Sequence, residues 1–332
     1  MQFGPVALDR AEGAVLAHSM PVRQGRLRKG KLLGPEDVAA LRAAGFEQVT
    51  VARLEAGDVP EDAAAVKLAQ ALAGPGLSVR QVGTGRANLL AAAAGLAQID
   101  AEKVLAVNAT DPAITVATVA PWQRMAARGM VATVKIIAYA VPEAALARAC
   151  SAGARALALA EPTLSTATLI QTRIGLGENL AKGERVTTER LERLGVALAE
   201  SLVVPHAEAP IAEALSASTG DLVLILTGSA TSDARDVAPQ ALLRAGGRLE
   251  HFGMPVDPGN LSFLGVLGDR PVLGLPGSSR SPAQSGPDWV LERLICGVPV
   301  TARDIMAMGV GGLLKEPRSR PRPRSRRSPT PG

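Results

Sequence analysis

The chain has 332 residues, enough for two domains with cores of their own, since a domain runs roughly 100 to 200 residues. Hydrophobic residues make up 47% of it but aromatic ones only 2%, so the cores must be built from Ala, Val, Leu and Ile, which favours a helix-rich α/β protein. The net charge of +5 rests on Arg318, Arg320, Arg322, Arg324, Arg326 and Arg327; the rest of the chain is near neutral, which excludes a basic body built for nucleic acid.

No apolar run approaches the roughly 20 residues that span a bilayer. The Met1-Gln2-Phe3 start has no basic segment leading into a signal-peptide core, so a cytoplasmic, soluble protein with no membrane partner is expected. Cys150 and Cys296 stand far apart, outside any CxxC pair, and read as small buried hydrophobes.

In chain order, Gly34, Pro35 and the acids after them open a short helix over 34–46 that Gly45 stops, and Val49 and Val51 follow in a strand. An Ala-rich helix is predicted from about Glu61 to Ala73. From Leu77 to Tyr139 the β-branched pieces Val79–Val82, Ile114–Val119 and Met130–Ile137 alternate with an Ala-rich helix near Asn88–Leu96. The polar clusters 83–88 and 108–111 read mainly as loops, with a role in lining a cleft as the alternative. Pro142–Ala160 reads as almost continuous helix former, and beyond it a regular alternation of strand and helix begins. This divides the chain into an N-terminal α+β region over 1–160 and an α/β domain over 161–316.

In the second half, strands are predicted at Ala167–Gln171, Leu202–Val204, Asp221–Leu226, Leu249–Phe252 and Pro271–Leu275. Helices are predicted at Val186–Leu202, Pro210–Ala217 and about Val237–Ala245, with an amphipathic one carrying Val290, Leu291, Leu294 and Ile295. Short apolar strands between helices imply an α/β fold, a mostly parallel sheet with helices on both faces, preceded by a smaller α+β domain. Gly309, Gly311 and Gly312 read as a turn. Residues 317–332 are Pro, Arg and Ser almost throughout and read as a disordered basic tail or linker.

Ligands of such sheets sit outside the carboxyl ends of the strands, which points to the loops after Leu226 and Leu275. The first runs Thr227-Gly228-Ser229-Ala230-Thr231-Ser232-Asp233-Ala234-Arg235-Asp236 into a helix. Small residues let a backbone approach a ligand, hydroxyls donate, and amides at a helix start point at an anion. Asp236 can hold Mg²⁺ or orient a phosphate through it; the alternative is that the hydroxyls cap the helix and Asp236 complements its dipole. The second loop, Gly274-Leu275-Pro276-Gly277-Ser278-Ser279-Arg280-Ser281, offers a tight turn, hydroxyl donors and a guanidinium that can clasp an oxyanion; alternatively it is an ordinary Pro-Gly turn. His206, Asp257 and Asn260 are further candidates, with a strand-end histidine and a structural turn as the plainer readings.

The first loop resembles the D-L-V-L-T-T-G-G-T-G-x-x-x-R-D-V-T-P-D-A signature of the molybdopterin-binding fold shared by molybdopterin adenylyltransferases, molybdopterin molybdotransferases and gephyrin. Thr227, Gly228, Arg235, Asp236, Val237 and Pro239 fall on matching positions, while Ser229, Ala230 and Thr231 replace Gly-Thr-Gly. The second loop resembles the molybdotransferases' G-L-P-G-N-P-x-S, with Ser278 and Ser279 in place of Asn-Pro. Residues 204–211 resemble V-P-D-D-x-x-x-I, with His206 where the adenylyltransferases carry an acid linked to metal and catalysis. Residues 253–260 parallel the molybdotransferases' K-P-G-K-P without its lysines, and 11–17 with 30–51 resemble their linker region. The arrangement is similar to the molybdopterin-binding half of proteins fused to a nucleotidyltransferase, although no nucleotidyltransferase signature occurs in these residues.

That resemblance implies molybdenum-cofactor biosynthesis, with molybdopterin as ligand and molybdate insertion or nucleotidyl transfer as the reaction. It assigns catalysis and Mg²⁺ to Asp236. It assigns cofactor contacts to Thr227, Gly228, Ser229, Thr231, Arg235, Gly274, Pro276, Gly277, Ser278, Ser279, Arg280 and Ser281. Its implied partners are molybdopterin with molybdate or a nucleotide, a nucleotidyltransferase or molybdenum enzyme, and further copies in a homo-oligomer. Two other functions fit the same residues: a non-catalytic carrier of molybdopterin or finished cofactor, and nucleotide or pyrophosphate processing on the same fold.

Overall fold

The computed structural model describes residues 1–175 and 180–314, so the tail expected over 317–332 lies outside the described residues. The chain forms two compact units, Met1–Ala160 and Glu161–Gly332.

The first unit is richer in strand than its composition suggests. Its helix Glu61–Leu72 buries Ala64, Ala65, Leu68, Ala69 and Leu72. These pack with Ala87, Leu89, Ile114, Val134 and Ile136 of an antiparallel sheet, ordered Ile114–Thr118, Met130–Ile136, Arg86–Ala91 and Leu77–Gln81. Residues 86–91 contradict the helix expected near Asn88–Leu96. Ala87, Leu89 and Ala91 face the core at every second position, and the chain returns as the strand Gly95–Ile99. Leu and Ala there obey a two-residue period, and packing against the helix overrides their helical propensity.

Pro142–Ala160 is likewise not one helix. The helix Glu143–Ala152 stops at Gly153, where a Cβ would come within 2.7 Å of Leu72 and Val107, and Leu157–Ala160 pairs with Gly95–Ile99 as a strand. Residues 108–111 close a helix that the sequence reading missed, Ala101–Asn108, and the Asn108 amide is spent on both backbone groups of Val116, at 3.0 and 2.7 Å.

The second unit is built on six strands: β1 (Thr166–Arg173), β2 (Ala197–Pro205), β3 (Leu222–Leu226), β4 (Arg248–Phe252), β5 (Phe263–Leu267) and β6 (Arg270–Leu275). Their helices are α1 (Leu180–Glu192), α2 (Glu208–Ala217), α3 (Val237–Arg244), α4 (Gly286–Ile295) and α5 (Ala302–Ala307). The sheet runs β2-β1-β3-β6-β5-β4; the first four strands are parallel, and β5 runs antiparallel to both of its neighbours, β6 and β4. Ile170, Val223, Ile225 and Val272 face α2 and α3, meeting Ile211, Leu215, Ala238 and Leu242. Helices α1 and α4 contact the sheet as well, and Gly183 of α1 lies against Gln171 and Leu226, the positions that point the other way. All five residues of β3 are buried, as a central strand covered on both faces requires.

Two expectations fail in this unit. The helix predicted over Val186–Leu202 is α1 ending at Glu192, a turn with Gly195 at φ +73°, and the edge strand β2. Leu191, Leu194 and Leu198 happen to stand at helical spacing across that junction. Strand β5 was not anticipated, because Gly265 reads as a breaker; its missing side chain is what lets Leu242 approach. Gly309–Gly311 do form a turn, and Cys296 is buried while Cys150 is half-buried.

A Cβ at Gly274 would stand 2.1 Å from two ring atoms of Phe263 on the paired strand β5. Gly274→Ala is therefore expected to lose about 1–3 kcal/mol by overpacking, read as a lower denaturant midpoint at unchanged slope. Gly277→Ala, whose nearest neighbour would be an Arg280 nitrogen at 3.6 Å, is the control and should leave the midpoint nearly unmoved.

Candidate molybdopterin site

The parallel strands β1, β2, β3 and β6 release their chain at one edge of the sheet, and the polar groups exposed there must find partners. At the end of β3, Thr227 is buried and its hydroxyl donates to the Ser229 carbonyl at 2.5 Å. The Gly228 amide donates inward to Thr172 Oγ1 of β1 at 2.7 Å, and that oxygen lies 2.8 Å from His206 Nδ1 just beyond β2.

The rest of this loop is closed by carboxylates. Asp236 caps α3: its Oδ1 accepts the Val237 amide at 2.7 Å and its Oδ2 the Ser232 amide at 3.0 Å. Asp233 accepts the Arg235 amide at 2.8 Å and Arg235 Nε at 2.9 Å, and the Arg235 side chain pulls its pKa down to about 2. Arg235 is thus exposed and committed to Asp233, while Thr231 is buried.

Beyond β6, Pro276 leads into a tight turn over Gly277–Arg280, closed by bonds from the Ser279 amide to the Pro276 carbonyl and from the Ser281 amide to the Ser278 carbonyl. Arg280 Nη2 donates to the Thr227 carbonyl at 3.1 Å, which brings the two loops side by side. The Ser279 hydroxyl is buried with no partner among the described residues. Gly277 stands exposed at the tip of the turn, next to the half-buried Ser278 and Arg280.

The expected residues therefore divide. Thr227, Gly228, Ser229, Gly277, Ser278, Ser279, Arg280 and Ser281 gather in the joined loops, whereas Gly274 lies inside β6 beneath the Phe263 ring. Asp257 pairs through its backbone with Gly312 and Leu314, and the Asn260 amide donates to the Met254 carbonyl at 3.3 Å, which holds that segment as a turn.

Besides Thr172, two residues escaped the sequence reading. Arg190 of α1 is buried and reaches Asp288 of α4 and the carbonyls of Ser279, Ser281 and Ala283. Two signals announced them: a charged residue on the apolar stripe formed by Val186 and Leu191, and the Ser285-x-x-Asp288 capping box.

Residues 172–294 match the model of a family described as a probable molybdopterin binding domain, and they take in Thr172, Arg190, Asp236 and both loops. The second unit carries a molybdopterin-binding family domain. The family is named for molybdenum-cofactor biosynthesis. Residues 5–53 match a domain of unknown function (DUF8806), and no curated protein matches the chain.

Among solved structures, the molybdopterin biosynthesis MoeA protein from Pyrococcus horikosii is 13% identical, covering 92% of this chain and 75% of its own, with a TM-score of 0.28. The molybdopterin biosynthesis enzyme MoaB from Thermus thermophilus is 19% identical over 46% of this chain and 100% of its own, at 0.30. CinA, a protein of unknown function from Thermoplasma acidophilum, is 18% identical over 35% of this chain and 90% of its own, at 0.25. All three are loose overall likenesses.

Among the described residues of the molybdopterin-binding domain and its companion unit, no three His, Cys, Asp or Glu side chains group to hold a metal, and no helix is long and apolar enough to cross a membrane. The Asp233–Arg235 contact has a readable consequence. The folded carboxyl is held below its ordinary value, so its stabilising effect on the loop is complete above the ordinary aspartate range and is lost only as pH falls towards about 2. A carboxyl-carbon NMR titration should place Asp233 there, and Arg235→Gln should return its midpoint towards the ordinary range.

Proposed function

We propose that the molybdopterin-binding domain holds the phosphate end of molybdopterin across the loops 227–236 and 276–281 and acts on it in molybdate insertion or nucleotidyl transfer. The observation that carries this reading is the Arg280–Thr227 bond, which sets two small-residue loops side by side at the carboxyl edge of the parallel sheet. A phosphate is met there by the Arg280 guanidinium and by hydroxyls of Ser229, Ser278 and Ser281, while Gly277 leaves room for close approach. Thr227 and Gly228 support the site from within, because their hydroxyl and amide are turned to Ser229 and Thr172.

Asp236 is the acidic residue of this reading. Each of its oxygens accepts one amide and keeps lone pairs, which fits a single-carboxylate contact to Mg²⁺ arriving with a phosphate, the manner in which this ion usually binds. Mg²⁺ so held would neutralise phosphate charge. A nucleotidyltransferase or molybdenum enzyme as recipient, and assembly into a homo-oligomer, belong to the same proposal.

A carrier that stores molybdopterin for a molybdenum enzyme is the second reading, favoured by the use of both Asp236 oxygens as a loop closure and helix cap. Calorimetric titration with molybdopterin, and separately with Mg·ATP and molybdate, tests both readings on the wild type and on Asp236→Asn. Micromolar molybdopterin binding, about −8 kcal/mol, is expected, with Arg280→Gln weakening it tenfold or more. Turnover lost in Asp236→Asn supports the enzyme, and binding without turnover in either protein supports the carrier. Preference for nucleotide over pterin moves the function to nucleotide processing, and absence of pterin binding refutes the proposal.

A further inference from the structure

We propose that the buried Arg190–Asp288 pair is a positioning device that holds the 277–285 loop in its ligand-facing shape, a role beyond fold stability that rests on the reading of this loop as part of the molybdopterin site. The side chains of Arg190 and Asp288 are only 6% and 8% exposed. Arg190 Nε donates to Asp288 Oδ1, Nη1 to the Ser279 carbonyl at 2.6 Å, and Nη2 to the carbonyls of Ser281 at 2.7 Å and Ala283 at 3.3 Å. Asp288 Oδ2 accepts the Ser285 amide at 2.6 Å and the Ser285 hydroxyl at 2.9 Å.

One guanidinium therefore binds the end of the tight turn, two later carbonyls, and, through Asp288, the first turn of α4. Carbonyls at three alternate positions, 279, 281 and 283, are drawn to a single group. Since each peptide is planar, fixing its carbonyl fixes the orientation of the whole unit, and with it the direction in which Ser278, Arg280 and Ser281 are presented. The effect reaches the other loop because Arg280 bonds the Thr227 carbonyl.

Chemistry restricts this task to arginine. Its five donors lie in a rigid planar fork that serves several acceptors at once, whereas a lysine ammonium is a single point on a flexible stem. Burial of the ion pair is by itself weak evidence for a stabilising role, because such pairs are often replaced by well-packed apolar residues without loss. The Ser279 hydroxyl in this turn is buried without a partner among the described residues.

Two variants test the inference. Arg190→Met/Asp288→Asn removes both charges and keeps an acceptor for the Ser285 amide; Arg190→Lys keeps the charge and loses the fork. Both are expected to melt near the wild-type temperature while the amides of 278–285 exchange hydrogen faster and the dissociation constant for molybdopterin rises tenfold or more. That split between melting and binding is what a merely structural pair would not produce. Folded variants with wild-type exchange and wild-type affinity overturn the proposal. If the double variant does not fold, Arg190→Lys decides by the same two readouts. If the wild type itself fails to bind molybdopterin, the functional reading falls, and hydrogen exchange alone still decides whether Arg190 holds the loop.

Discussion

Strand β3 is covered on both faces, and its backbone finds partners only in β1 and β6, so the chain can shed its polarity only where those strands end. There the Gly228 amide turns to Thr172 and the Thr227 carbonyl accepts Arg280. Each bond fills a need created by burial, and each also fixes a loop. The position of the site is thus a consequence of how the core is closed. At the opposite edge the same need is met differently: Asp221 accepts the amides of Ser165 and Thr166, and Glu200 joins Thr168 to Thr219, which spends these acids on the backbone and its neighbours.

The legible parts of the fold were those where one physical signal dominates. Leu222–Leu226 is continuously apolar and short, and Gly34-Pro35 marks a helix start by its own chemistry. The failures share a cause. In a chain with so few aromatics, alanine and leucine serve in every element, so 86–91 and 197–205 carry strand periods in residues that favour helices. Distinguishing these readings requires knowing which neighbour packs on each face, and that is a tertiary fact. Phe263–Leu267 was hidden for the complementary reason, since Gly265 weakens the local signal while serving a contact with Leu242.

The site was legible to the extent that it consists of loops following apolar strands. Thr227, Gly228 and the 277–281 turn could be picked out as candidates from sequence because small residues after an apolar strand end mark the loops at the carboxyl edge of a parallel sheet. The groups behind them are not found that way. Arg190 lies well upstream of the loop it holds, and Thr172 passes for an ordinary strand residue until its hydroxyl is seen to serve both Gly228 and His206. Supporting residues of this kind leave no local pattern, because their partners come from other segments.

The Thr172 hydroxyl stitches the carboxyl ends of three strands together, reaching β3 through Gly228 and the end of β2 through His206. Neighbouring strands in a sheet lie about 4.8 Å apart, a spacing set by the peptide group and indifferent to side-chain volume. The first loop therefore takes its lateral position from the sheet ladder, whereas the second takes its position from a guanidinium on a helix. One loop at this edge is measured by backbone and the other by a side chain, so sequence drift can reshape the second loop while the first keeps its dimensions.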